Sequence, residues 1–163
     1  MESGTNKYDK TSGKLAYIVM PPGHGKSFLH AEIYGLVEAD SIYDCRGDEA
    51  LADARSIARH TGVWARYDKK WSERLTVRLT GHRWVIMVPS KTIGEIMGGT
   101  HLGTLQLADD QWNKNLKTRG KTCSDYGYAR CTDPDTRFFE DNVSLTNWVL
   151  LTSSQWLFLA GGV

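Results

Sequence analysis

An α/β fold, a three-layer sandwich around a mostly parallel sheet of about five strands, is what these 163 residues predict. Three observations carry that prediction. Short apolar runs alternate along the chain with stretches of helical spacing, the order expected when each strand is followed by a crossover helix. The run Arg83-Trp84-Val85-Ile86-Met87-Val88 is apolar without alternation, which suits a central parallel strand covered on both faces. The segment 15–39 passes from an apolar run, through a turn rich in Gly and Pro, into a helical pattern.

The elements follow in order. Residues 1–13 are rich in Ser, Gly, Thr, Asn and Lys and read as a flexible arm, leaving 14–163 as one domain. Leu15–Met20 is the first strand, and a helix is expected from about Lys26 to Ala39. Ser41-Ile42-Tyr43-Asp44-Cys45, rich in β-branched and aromatic residues, is the expected second strand. Gly47 or Asp48 caps a helix in which Ala50, Leu51, Ala54, Ile57 and Ala58 recur up to His60-Thr61-Gly62. Asp68–Leu79 is a further amphipathic stretch, and Arg83–Val88 the clearest later strand. Ser90 opens a short helix through Met97, stopped by Gly98-Gly99, and Leu102–Leu107 forms the next strand. Asp109 or Asp110 caps a helix ending near Gly120, and Trp148–Leu151 is expected as the fifth strand.

Composition excludes several classes of protein. With 40% hydrophobic residues and six Trp, the chain builds a core without disulfide staples. A formal charge of +1 gives no strong general attraction to nucleic acid or to anionic membranes. Cys45, Cys123 and Cys131 fit neither a disulfide framework nor a zinc site and read as reduced thiols, which points to the cytoplasm. No apolar stretch is long enough to span a bilayer, so no membrane association is expected.

The chemistry concentrates in Pro21-Pro22-Gly23-His24-Gly25-Lys26-Ser27-Phe28. A triphosphate packs several negative charges into a small volume, and a loop with few side chains can aim consecutive backbone N–H groups at it. Glycine permits close backbone approach and positive φ. Lys26 then reaches the β- and γ-phosphates, and the Ser27 hydroxyl ligates Mg²⁺. The binding residues expected are Pro22, Gly23, His24, Gly25, Lys26, Ser27 and Phe28. Met20 stands where the full G-x-x-x-x-G-K-[ST] pattern has its first glycine.

With the strand before this loop and an Asp soon after the following helix, the chain resembles the P-loop kinases, the class of adenylate kinase and polynucleotide kinase. The resemblance covers about the first 50 residues with any specificity. It implies ATP or GTP with Mg²⁺ as cofactors, a catalytic Lys26, and an aspartate that orients or deprotonates the attacking hydroxyl. Asp44 matches that aspartate, with Asp40 as second choice, and Asp44 would join Ser27 at the metal. The strand Val85–Val88 ends in Pro89-Ser90, so the carboxylate common there in such proteins is missing, and Asp109 or Asp110 is an alternative source. Residues 114–137 hold six basic residues against three acidic ones and read as a lid, with Arg119 and Arg130 expected at the transferring phosphoryl group. Arg55, Arg59, Arg66 and Arg74 offer binding groups for a substrate phosphate.

These readings make the chain an NTP-dependent phosphotransferase acting on a nucleoside, nucleotide or polynucleotide end. Two other functions fit the residues: an NTPase domain of a larger, RNA-associated viral replication or capsid assembly, and a nucleotide-binding module without catalysis.

Overall fold

The computed structural model describes residues 14–129 and 133–159. The expected arm and Arg130 lie outside the described residues, as does Cys131. Five strands form one all-parallel sheet in the order β2-β3-β1-β4-β5: β1 Leu15–Val19, β2 Leu36–Glu38, β3 Trp84–Val88, β4 Thr100–Leu107 and β5 Arg137–Phe139. The helices are α1 Lys26–Leu29, α2 Ala39–Ile42, α3 Glu49–Thr61, α4 Ala65–Arg78, α5 Lys91–Met97, α6 Asp109–Leu116 and α7 Asn142–Ser154.

Side-chain alternation on β1 explains the layers. Leu15, Tyr17 and Val19 face one cluster, built from Leu51, Ala54 and Ala58 of α3, Tyr67, Trp71 and Leu75 of α4, and Ile93 and Met97 of α5. Ala16, Ile18 and Met20 face the other, with Trp112 and Leu116 of α6, Leu145 and Val149 of α7, and Leu157. Helices therefore cover both faces of the sheet, compatible with a three-layer sandwich. Every residue of β1 and all but Trp84 of β3 are buried, as their uninterrupted apolar character requires. Gly94 of α5 lies against the Tyr17 ring so closely that an added Cβ would stand 2.3 Å from it.

Three expectations about elements are corrected. The helix expected over 26–39 is a single turn, Lys26–Leu29. The chain turns back at Ala31, with φ 63, and at Gly35, with φ 100, and re-enters the sheet as β2. Gly35 is required there, since a Cβ would meet Leu157 at 3.0 Å and the Arg83 carbonyl oxygen at 3.1 Å. The second strand is therefore Leu36–Glu38 rather than 41–45, where Ala39–Ile42 is helical. A short apolar run suits helix and strand alike, and hydrogen bonding to β3 decides this one.

Trp148–Leu151 is likewise helical, within α7, whose Asp141 cap accepts a hydrogen bond from the Ser144 N–H at 2.9 Å. The fifth strand is Arg137–Phe139, inside the expected lid. The described part of segment 114–137 starts as the end of α6, buries Cys123 in the second cluster and ends in β5.

Candidate functional site

All strands being parallel, the ends of β1, β2, β3 and β4 share one edge of the sheet. The chain leaves β1 toward β2 at one side and leaves β4 toward β5 at the other, and such a divergence opens a crevice beyond the strand ends. The loop 20–27 fills that position.

Its backbone is held by its carbonyls. The Lys26 ammonium folds back and donates to the carbonyl oxygens of Met20 at 2.7 Å and Pro21 at 3.0 Å. Both peptide units precede a proline and carry no N–H, so engaging their oxygens turns no donor out of the loop. The Pro22 carbonyl accepts from the Trp112 indole N–H at 2.7 Å and from His24 Nδ1 at 3.2 Å. The Gly23 carbonyl accepts from the Asn115 amide at 2.9 Å. In a trans peptide the N–H points opposite to the C=O. Fastening these two oxygens to α6 and to His24 thus turns the N–H groups of Gly23 and His24 the other way.

Gly23 and Gly25 take φ of +80 and +86. A Cβ on Gly23 would also strike Leu116 Cδ2 at 2.7 Å. The helical ladder begins only with the Leu29 N–H to the Gly25 oxygen, so the Ser27 and Phe28 amides precede it.

The Ser27 hydroxyl donates to the Glu38 carboxylate, 3.1 Å from Oε1 and 3.3 Å from Oε2. Glu38 is buried at the end of β2 and also accepts from the Ser41 hydroxyl at 2.8 Å. Its own N–H donates to His30 Nδ1 at 2.9 Å. Asp40 stands beside it, solvent-accessible at the cleft mouth. Its carboxyl is raised above the ordinary range by desolvation first, then by the Glu38 charge, against the opposing pull of Lys26.

Two clefts meet here. One, of about 600 Å³, is lined by Pro22 to Phe28 together with Pro89, Asn115 and Asn142. The other, of about 650 Å³, is lined by Ser41, Tyr43, Asp44, Arg46 and Arg78. Ser27, Glu38, Asp40 and Arg119 border both. The predicted residues Pro22, Gly23, His24, Gly25, Lys26, Ser27, Phe28, Asp44 and Arg119 are thus gathered at one site. Phe28 is 68% exposed at its wall.

Asp44 lines the second cleft but is held by Arg46, with Nη2 2.7 Å from Oδ2. The Arg46 hydrogen bonds keep its carboxyl below the ordinary range. Asp109 and Asp110 begin α6 and line neither cleft. Of the expected substrate arginines, Arg74 pairs with Asp48 at 3.0 Å and Arg55 faces Cys45; the cleft is bordered instead by Arg46, Arg78 and Arg119. Trp71 is core, its indole N–H donating to the Tyr43 oxygen at 2.7 Å.

Glu38 escaped the sequence reading because its segment reads as helix. The signal that could have exposed it is Gly35, a helix breaker directly before Leu36-Val37-Glu38.

The donor set suits Mg²⁺. This ion binds through one or two protein oxygens, keeps several waters and takes the rest from phosphate. A hydroxyl and a buried carboxylate in contact, with the Asp40 carboxyl beside them, offer oxygens of the kind this ion takes. No group of three or more His, Cys, Asp or Glu that could hold a metal by themselves occurs among the described residues. Compared with known proteins, the chain matches no protein-family model, no curated protein and no solved structure.

Proposed function

We propose that the chain binds a nucleoside triphosphate, ATP or GTP, in the loop 20–27. In this reading it transfers the γ-phosphoryl group to a hydroxyl of a nucleoside, nucleotide or polynucleotide end seated in the second cleft. The observation that carries the reading is the pair of clefts sharing Ser27, Glu38, Asp40 and Arg119 as their common border. One cleft offers backbone donors and an ammonium to phosphate, and the other brings an acceptor to the same carboxylates.

The residues take distinct parts. The Gly23 and His24 amides and Lys26 bind the phosphates, Lys26 exchanging its carbonyl partners for phosphate oxygens. Ser27 and Glu38 would hold Mg²⁺, which supplies charge neutralisation at the phosphates when bound. Asp40, which borders both clefts beside Glu38, receives the proton leaving the acceptor hydroxyl. The new bond joins the acceptor oxygen to the γ-phosphorus, the bond to the β-phosphate oxygen breaks, and the nucleoside diphosphate leaves. Arg119 faces the group in transit. Asp44, kept ionised by Arg46, positions the acceptor and is a poor proton taker.

The deciding experiment incubates the protein with γ-labelled ATP or GTP and Mg²⁺, with and without nucleosides, nucleotides and short oligonucleotides. Label appearing on an acceptor, lost in Lys26→Ala, supports the reading. Inorganic phosphate released at an unchanged rate without acceptor would move the chain to the NTPases. Binding without turnover would leave a nucleotide-binding module.

A further inference from the structure

His24 is buried, 2% exposed, although it sits in a loop that borders an open cleft. Its partners fix its chemistry. The Leu107 N–H at the end of β4 lies 2.9 Å from Nε2, and a backbone N–H can only donate, so Nε2 carries no proton. The Pro22 carbonyl lies 3.2 Å from Nδ1 and can only accept, so Nδ1 carries one. The ring is therefore neutral, in the Nδ1–H tautomer. It also meets the Trp112 ring edge-on, centroids 4.9 Å apart, and that indole grips the same Pro22 oxygen.

Burial, and secondarily the Lys26 ammonium, pushes its pKa down to about 3. Lys26 is the charged group beside it; β4 presents a backbone amide, and α6 presents Trp112 and Asn115.

We propose that His24 is the positioning residue of the loop: as a neutral Nδ1–H imidazole it fastens the loop to the end of β4, setting the Gly23 and His24 amides toward the phosphates before any ligand arrives. Without it, Leu107 keeps an unpaired buried N–H and the Pro22 peptide loses one of its two fixed partners. This rests on the nucleotide reading for the identity of the anion, while the anchor itself does not.

The test has two arms. In the first, ¹⁵N NMR of the histidine side chains in the full chain reads the tautomer, and amide exchange reads Leu107. The expected result is an unprotonated Nε2 and a protonated Nδ1 for His24 at pH 5, with a slowly exchanging Leu107 amide that becomes fast in His24→Phe. A charged His24 at pH 5, or the Nε2–H tautomer, overturns the proposal. In the second arm, MgATP is titrated onto wild type, His24→Phe and His24→Gln. The Gln carboxamide oxygen can still accept from Leu107, so its affinity should stay within about threefold, while Phe weakens binding about tenfold or more. A folded His24→Phe protein that binds like wild type also overturns it. Wild type binding no MgATP at all would remove the nucleotide reading instead, and the NMR arm would still decide the anchor.

Discussion

Two stretches that face each other across the site are held in different ways. In the loop 20–27, the carbonyls of Met20, Pro21, Pro22 and Gly23 are bound by Lys26, His24, Trp112 and Asn115, drawn from the loop itself and from α6. In the stretch 44–47, Asp44 is held by its near neighbour Arg46, whose side chain is 90% exposed, while Tyr43 just before it is fixed by the Trp71 indole and by Asp48. The first arrangement is locked by directional bonds that are buried or partly buried, and the exposed Asp44–Arg46 pair can rearrange at little cost. If the loop takes a triphosphate, as proposed, its fixed geometry suits a ligand that presents the same shape every time, and an acceptor at 44–47, Arg78 and Arg119 would meet a surface that can adjust to it.

The contrast can be broken experimentally. The largest effect is expected from Lys26→Ala. Losing a charged contact to phosphate costs about 3 kcal/mol, roughly a hundredfold in triphosphate affinity by calorimetry, with turnover lost altogether. Turnover surviving in that variant would sink the cradle. Next comes Glu38→Gln, expected to cut turnover about a hundredfold at saturating nucleotide and to raise the Mg²⁺ concentration needed. An unchanged Mg²⁺ dependence would point to another carboxylate.

Stability tests sharpen the same contrast. The unfolded chain takes up a proton on His24 near pH 6.5 and the folded one near 3. Between those values the unfolded state holds more protons, so stability is fully present above 6.5 and falls on acidification toward 3. The contribution at stake is on the order of 4 kcal/mol, and urea titrations of wild type and His24→Gln between pH 4 and 7 should diverge accordingly. Parallel curves would mean the imidazole is not buried neutral. Gly23→Ala, forced into φ +80 and against Leu116, should cost about 1–3 kcal/mol in the same assay. Asp44→Asn is expected to do least: stability almost unaltered and KM for the acceptor changed less than about threefold. A collapse of turnover in that variant would make Asp44 the catalytic carboxylate in place of Asp40.

Much of this is legible in the sequence. Strand Leu15–Met20, strand Arg83–Val88, the Asp48-capped helix ending at Gly62 and the loop between Pro21 and Phe28 each carry a local cause: an apolar run, a cap or a glycine needing positive φ. Of the misread segments, 26–39 has a helical spacing that hid the break at Gly35, while 41–45 and 148–151 are short runs whose spacing fits two structures; strand pairing and helix packing chose between them.

The order of residues alone therefore determined that a glycine-rich turn with a lysine and a serine follows a buried strand, because those needs are satisfied within a few residues. Tertiary structure decided which carboxylate meets that serine, which arginines border the cleft, and that the His24 ring meets the Leu107 amide. Glu38, Leu107 and Asn115 reach the loop from 11, 83 and 92 positions away. Separations of that kind are bridged only by parallel pairing that lays the ends of β1, β2 and β4 along one edge.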